Sequence, residues 1–194
     1  METKKYFHKC VAHADSVIVR IKKSQWRNTT PCTEWNLRDL LNHMVSEIAW
    51  IPDLLEGKTI TEIGDKYEGD LLGDNPFKSW TDYYNKVNLA VEKANLNSPV
   101  HLSYKDTTVN DYMVEVSSDL LIHSWDVAKS IHINDELPKE IVEQFYKAIK
   151  PQISDLQKMG IYSEPIVVDS NSNTQTKLLA LLGRDRNWSN KDNV

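Results

Sequence analysis

Residues 112–132 read YMVEVSSDLLIHSWDVAKSIH, and they contain the spacing Asp119-x-x-x-His123. Residues four apart lie one above the other on a helix face, so this spacing predicts a carboxylate stacked on an imidazole. The neighbours on that face are aliphatic: Val116, Leu120 and Val127. An inward-facing carboxylate without a partner is costly. Both side chains can bind one ion, and transition metals prefer such ligands.

Four segments have the apolar periodicity of amphipathic helices, namely residues 3–23, 37–57, 76–95 and 110–131. Asn36 is the predicted N-cap of the second helix, and Gly57 is its predicted end. Pro52 is expected to kink or divide that helix, whereas Pro76 can open the third. No alternation of strands and helices is present. The pattern therefore predicts an all-α protein, a four-helix bundle with additional C-terminal helices.

The remaining segments give weaker signals. Residues 59–75 contain three glycines and five acidic residues, and predict a loop that either covers a site or extends into solvent. Residues 98–108 are expected to be extended or irregular. Residues 138–159 form another amphipathic segment, which Pro151 interrupts. We expect residues 1–160 to form the metal-binding bundle, and residues 161–194 to form a short C-terminal extension packed on it.

Composition limits the classes of partner and the compartment. The chain has 194 residues, of which 40% are hydrophobic, and its 23 basic and 28 acidic residues give a net charge of −5. Mild acidity argues against nucleic acid or an anionic membrane as the main partner. No apolar run approaches the ~20 residues of a membrane span, and the first residues lack a signal-peptide pattern. Cys10 and Cys32 form no disulfide framework, so we expect a cytoplasmic protein.

A third metal ligand is expected on another helix, and His43 is the best candidate. It lies on a stripe with Leu40, Glu47 and Trp50 that is apolar apart from His43 and Glu47. Two histidines and a carboxylate leave coordination positions open, which is typical of a catalytic metal site. The alternative is that each histidine is a hydrogen-bonded core residue. Glu47 is interpreted as the carboxylate partner of a ligating histidine or as a solvated charge. The alternatives are a fourth metal ligand and a general base.

Three further groups carry two interpretations each. Asp126 is interpreted as a contact to a neighbouring loop, or else as a hydrogen-bond partner of a metal ligand. Cys32 is interpreted as a packed structural thiol in preference to a nucleophile. The tryptophans at 35, 50, 80 and 125 are expected in the core, with Trp50 also able to line a pocket. His8, His13, His101 and His132 have no partner at ligand spacing.

Three stretches of the chain resemble one family. TPCTEWNLRDLLNHMV resembles the TPC-x-x-W-x-x-R-x-L-x-x-H signature of the N-terminal domain of mycothiol-dependent maleylpyruvate isomerase, within the DinB-like superfamily. SSDLLIHSWDVAKSI resembles its second signature, carboxylate-x-x-x-H-x-W-D-x-A. LLALLGRDRNW resembles the L-L-x-x-x-G-R-x-x-x-W ending of a compact branch.

The resemblance implies a four-helix bundle with zinc or nickel held by His43, Asp119 and His123. The isomerase family uses a glutamate where this chain has Asp119, which is one methylene shorter, and this difference affects metal position or preference. The family enzyme also has a larger C-terminal domain that helps to bind its thiol, whereas only a short ending follows the bundle here. Mycothiol and maleylpyruvate are therefore not carried over to this chain.

These observations lead to three hypotheses. The first is a metal-dependent transferase or isomerase that joins a low-molecular-weight thiol to small electrophiles, with Glu47 transferring a proton. The second is a non-catalytic metal-binding or ligand-binding protein, a sensor or a scaffold. The third is a homodimer in which the metal only stabilises the bundle.

Overall fold

The computed structural model describes residues 1–189. Its elements, in chain order, are α1 (Thr3–Ile18), α2 (Leu37–Leu55), α3 (Ile60–Ile63), α4 (Pro76–Lys93), β1 (Pro99–His101), β2 (Asp106–Thr108), α5 (Val109–Ser130), α6 (Lys139–Ile149), α7 (Ile153–Lys158) and α8 (Thr174–Leu181), with one 3₁₀ turn at Lys23–Gln25. The prediction of an all-α protein is confirmed, since a single two-stranded hairpin is the whole of the sheet within the described part of the chain.

The bundle consists of α1, α2, α4 and α5. α1 packs along α5, α2 packs on both α4 and α5, and their facing side chains form the main core. α5 is buried on every side along most of its second half, from Leu120 to Ala128. A helix that is covered all round is an interior helix of its fold. The polar groups of α5 are therefore held among packed neighbours.

The predicted boundaries of α2 and α4 are confirmed by their caps. The Asn36 side chain accepts hydrogen bonds from the backbone N–H groups of Arg38 and Asp39, at 2.9 and 3.1 Å. The Asp39 carboxylate accepts one from the backbone N–H of Asn36 in return, which completes a capping box. Gly57 follows the end of α2 with a φ of 86°, and Pro76 is the first residue of α4. Glycine commonly follows the end of a helix because it adopts a positive φ, and proline is common at the first position of a helix.

The structure corrects the expected end of α1 and rules out one of the two expectations for Pro52, that it divides α2. α2 continues through Pro52 to Leu55 instead of dividing there, since Asp53 and Leu54 are buried and hold its last turn. α1 ends at Ile18, five residues before the expected end at residue 23. The chain turns at that point because Ile21 is still buried and packs into the main core from outside the helix.

A second core lies on the other side of α5. α6 packs on α8, and apolar side chains of both helices meet Leu121 and Trp125 of α5. Gln175 of α8 accepts a hydrogen bond from the backbone N–H of Leu137 at 2.9 Å, which ties α8 to the start of α6. α5 therefore lies between the bundle core and the C-terminal helices. No helix in residues 1–189 combines the length and apolar character needed to cross a membrane.

The connecting segments are more ordered than the sequence predicts. Residues 98–108 form the antiparallel hairpin of β1 and β2, in which Val100 pairs with Thr107. The segment 59–75 lies against α2 and contains α3. The Tyr67 hydroxyl donates to the buried carboxylate of Asp53 at 2.7 Å, and the Asn42 side-chain amide donates to the carbonyl of Gly69 at 2.8 Å.

Candidate metal centre

Two helices bring the three predicted ligands together. α5 supplies Asp119 and His123 from successive turns, and α2 supplies His43 from the facing helix. The His123 Nε2 atom lies 3.3 Å from Asp119 Oδ1, and the His43 Nε2 atom lies 3.5 Å from Asp119 Oδ2. One ligand atom from each residue falls within 4.8 Å of the others. Donor atoms around a tetrahedral zinc ion are separated by about 3.4 Å, since each bond is about 2.0–2.1 Å long.

The carboxylate of Asp119 has an unpaired oxygen at this position. Its Oδ2 atom is buried and has no hydrogen-bond partner among residues 1–189. Buried polar atoms nearly always have a partner, so an orphan oxygen between two imidazoles fits a bound cation. Burial opposes ionisation of this carboxyl, but the charge of the neighbouring His123 holds its pKa below the usual range. An ionised carboxylate is the form that binds metal.

The other nitrogen of His123 is held by Asp126. The distance from His123 Nδ1 to Asp126 Oδ2 is 2.9 Å, and the Asp126 side chain is fully buried. An ionised carboxylate accepts only, so Nδ1 donates this bond, and Nε2 is the ring nitrogen that faces Asp119. Carboxylates commonly orient a ligating histidine in this way. The preferred interpretation of Asp126 was incomplete, because it contacts both a neighbouring loop and a candidate ligand.

The loop contact comes from Arg184, which follows α8. Its Nη2 atom lies 3.3 Å from Asp126 Oδ2 and 3.7 Å from Cys32 Sγ. The Cys32 thiol donates to the same carboxylate oxygen at 3.2 Å. Burial opposes ionisation of Asp126, and the charge of Arg184 keeps its pKa below the usual range. Arg184, which belongs to the G-R motif at residues 183–184, therefore contacts the candidate metal centre through Asp126.

Cys32, His123 and Asp126 form a second group whose ligand atoms lie close enough to hold an ion. The guanidinium of Arg184 already compensates the charge of Asp126 there, so a second cation would be repelled. Burial raises the pKa of the Cys32 thiol, although its hydrogen bond with His123 opposes the rise. The first group of three therefore suits a divalent ion better.

Glu47 lies one turn after His43 on α2. Its Oε1 atom is 3.9 Å from His43 Nδ1, which is too long for a hydrogen bond. Burial and the nearby charge of Asp119 raise the pKa of Glu47 to about 7. The carboxyl group also borders the cavity that leads to Asp119. Glu47 is therefore placed beside the candidate ligands without being one of the three.

A cavity of about 500 Å³ opens beside the three residues, and Asp119 lies in its wall. α2 contributes Trp50, the β1–β2 hairpin contributes Tyr104, and the segment after α7 contributes Ile161 and Tyr162. Sequence reasoning did not identify the last three residues, since their segments have no spacing relation to the ligands. Arg184 was also missed as a site residue, although its place in the G-R motif was a usable signal.

We predict that Asp126→Asn weakens metal binding by about 10- to 100-fold, which is the usual cost of losing such an orienting partner. The amide is uncharged and its oxygen is a weaker acceptor for the Nδ1–H group, so it favours less strongly the ring orientation that directs Nε2 to the site. Competition against a chromogenic chelator measures the affinity. Asp135→Asn is the matched control, because Asp135 pairs with Arg186 away from the centre. Equal affinities in the two variants would contradict an orienting role for Asp126.

The fold and the site together define an all-helical bundle protein with a candidate divalent-metal centre between two of its helices. A family model described as the mycothiol maleylpyruvate isomerase N-terminal domain matches residues 7–128. The chain belongs to this family, which confirms the resemblance. The matched range contains all three candidate ligands and ends before Arg184. No match was found among curated proteins or among solved structures.

Proposed function

We propose that this protein is a metal-dependent transferase or isomerase that joins a low-molecular-weight thiol to small electrophiles. The observation that carries the proposal is the convergence of His43, Asp119 and His123 beside a cavity of about 500 Å³. Small-molecule sites are typically clefts of about 300–1,000 Å³ with a few convergent polar groups. Candidate metal ligands that border such a cavity favour a reactive role for the metal over a purely structural one.

His43, Asp119 and His123 would hold the ion, with zinc or nickel as the preferred metals. A bound divalent ion would lower the pKa of a coordinated thiol or water, which is the chemistry it supplies here. Asp126 would keep His123 in the required tautomer, and Arg184 would keep Asp126 in place.

Glu47 would accept the proton of the incoming thiol. It borders the same cavity as Asp119 and lies on the same helix as His43. The sulfur of the thiol would then attack the electrophilic carbon, and the bond to the leaving group would break with its electron pair. In an isomerisation no other group would leave: the sulfur would add to one carbon of a carbon–carbon double bond, rotation about the resulting single bond would follow, and the sulfur would then leave with its electron pair as the double bond re-forms. Positioned general bases typically contribute about 10²- to 10⁴-fold to rate.

Thiol transfer to chlorodinitrobenzene by the purified, metal-analysed protein tests the proposal. In this reaction the thiol sulfur displaces chloride, and release of the coloured thioether is followed by absorbance. We expect turnover with at least one of several cellular thiols, loss of turnover after chelation, and recovery when zinc or nickel is returned.

Glu47→Gln is the matched variant, and it should reduce turnover by about 10²-fold or more while metal content stays unchanged. If no thiol gives turnover and chelation changes nothing, the proposal fails. Metal binding and ligand binding without turnover would instead support the sensor or scaffold hypothesis, whereas metal-dependent stability with neither turnover nor ligand binding would support the homodimer hypothesis.

A further inference from the structure

Three of the side chains that line the cavity beside the candidate metal centre are acidic. Its lining includes the carboxylates of Glu47, Glu115 and Asp119. No lysine or arginine belongs to the lining among the described residues. Carboxylates that share a cavity repel a bound anion, and the repulsion grows where water is excluded. The walls therefore disfavour a substrate that carries carboxylates.

The cations nearest to the cavity are already paired. The Lys105 Nζ atom lies 2.9 Å from Glu115 Oε2 at the rim, and the Tyr104 hydroxyl also donates to Glu115. Arg184 lies behind His123 and is bound to Asp126. The rings of His123 and His43 face the Asp119 carboxylate at 3.3 and 3.5 Å. None of these basic side chains is therefore free to receive a carboxylate from a ligand. A divalent ion would add two positive charges, of which the carboxylate of Asp119 would offset one.

Apart from Ser103, the rest of the lining is apolar or aromatic. Trp50 and Tyr112 come from the helices, and Ile60 and Leu102 come from the connecting segments. Met159 and Ile161 close the other side from the segment that follows α7. Such walls favour a ligand that loses apolar surface on binding, by roughly 25 cal/mol for each Å² removed from water. A cavity of about 500 Å³ has room for a fused aromatic ring with a short chain.

We infer that this cavity takes an uncharged, apolar small molecule and rejects mono- and dicarboxylates. The inference deepens the proposed function, and it rests on that function only for the claim that the bound molecule is a substrate. The selectivity itself comes from the side chains that line the walls. A dicarboxylate such as maleate, or an acidic thiol, would place its charges among three carboxylates with no free cation to bind them.

A pair of probes that differ in one group tests the inference. Naphthylmethanol and naphthoate have the same ring system, but only naphthoate is charged at mildly alkaline pH. Calorimetric titration is done on the protein as purified and on the same protein after chelation. We expect naphthylmethanol to bind about tenfold more tightly than naphthoate to the chelated protein, in which only the walls act, and maleate not to compete there. The inference is overturned if either anion binds as tightly as the alcohol.

Two substitutions test whether the probe binds in this cavity. Ile161→Asp adds a carboxylate to the wall, at a residue that is 48% exposed and so tolerates a polar side chain. Val167→Asp is the matched control, because Val167 is 97% exposed and lies outside the lining. Naphthylmethanol affinity should fall about tenfold in Ile161→Asp and stay unchanged in Val167→Asp. Equal affinities in both variants would place binding elsewhere and overturn the inference.

Failure of this inference is distinguishable from failure of the proposed function. Probe binding to the chelated protein depends on the walls and requires no metal and no turnover. Selectivity for the alcohol without thiol transfer would therefore refute only the proposed function. Thiol transfer together with a preference for naphthoate or maleate would refute only the inference about the cavity.

Discussion

Replacement of His123 by alanine should remove most of the bound metal from the purified protein. His123 Nε2 lies 3.3 Å from Asp119 Oδ1, and its ring is fixed by Asp126 on the other side. Loss of an orienting partner alone costs about 10- to 100-fold in affinity, so loss of a ligand should cost more than about 100-fold. Elemental analysis after gel filtration measures the metal-to-protein ratio.

His101→Ala is the matched control. His101 lies on β1 and pairs with Asp106 at 2.9 Å, away from the candidate ligands. Its metal content should equal that of the unmodified protein. His43→Ala provides a second ligand variant, because the His43 side chain is 25% exposed and its loss leaves a smaller gap in the core. Full metal occupancy in folded His123→Ala or His43→Ala protein would contradict the ligand assignment.

Gly183→Ala should strongly destabilise the protein. Gly183 ends α8 with a φ of 76°, and its N–H donates to the carbonyl of Ala180 while that of Arg184 donates to Leu179. These two bonds define a Schellman motif, which needs a left-handed residue at this position. An added Cβ would lie 2.6 Å from the Cβ of Ser163. Backbone strain of about 1–2 kcal/mol and overpacking of about 1–3 kcal/mol should both reduce the free energy of unfolding.

Gly160→Ala separates the two effects. Gly160 also has a φ of 76°, but a Cβ there would meet no atom within 4 Å. It should therefore show the backbone strain without the steric clash, so the two variants should differ by about 1–3 kcal/mol in urea denaturation. Ser163→Gly should recover much of the loss in the double variant with Gly183→Ala. If Gly160→Ala and Gly183→Ala are equally destabilised, the clash with Ser163 has no energetic effect.

Because Gly183 directly precedes Arg184, the same turn directs the guanidinium to Asp126. Gly183→Ala should therefore also weaken metal binding in molecules that remain folded. This links the third sequence signature, which lies outside the matched range 7–128, to the residues inside it.

Much of the fold could be predicted from local patterns. Apolar periodicity located the bundle helices, and Asn36, Gly57 and Pro76 marked boundaries that the structure confirms. Pro52 does not divide α2, because the cost of a proline inside a helix is outweighed by burial of the residues after it. Residues 59–75 form the predicted loop apart from the short helix α3, and contacts with α2 hold this loop in place.

The sequence by itself determined that Asp119 and His123 share a helix face, because helix geometry relates residues four apart. It also nominated His43, from a polar position on an otherwise apolar stripe. Only the tertiary structure decided that His43 meets the pair, that Arg184 reaches Asp126, and that acidic and apolar walls surround the same cavity. Those contacts join residues far apart in the chain, and the packing of whole helices and loops sets them.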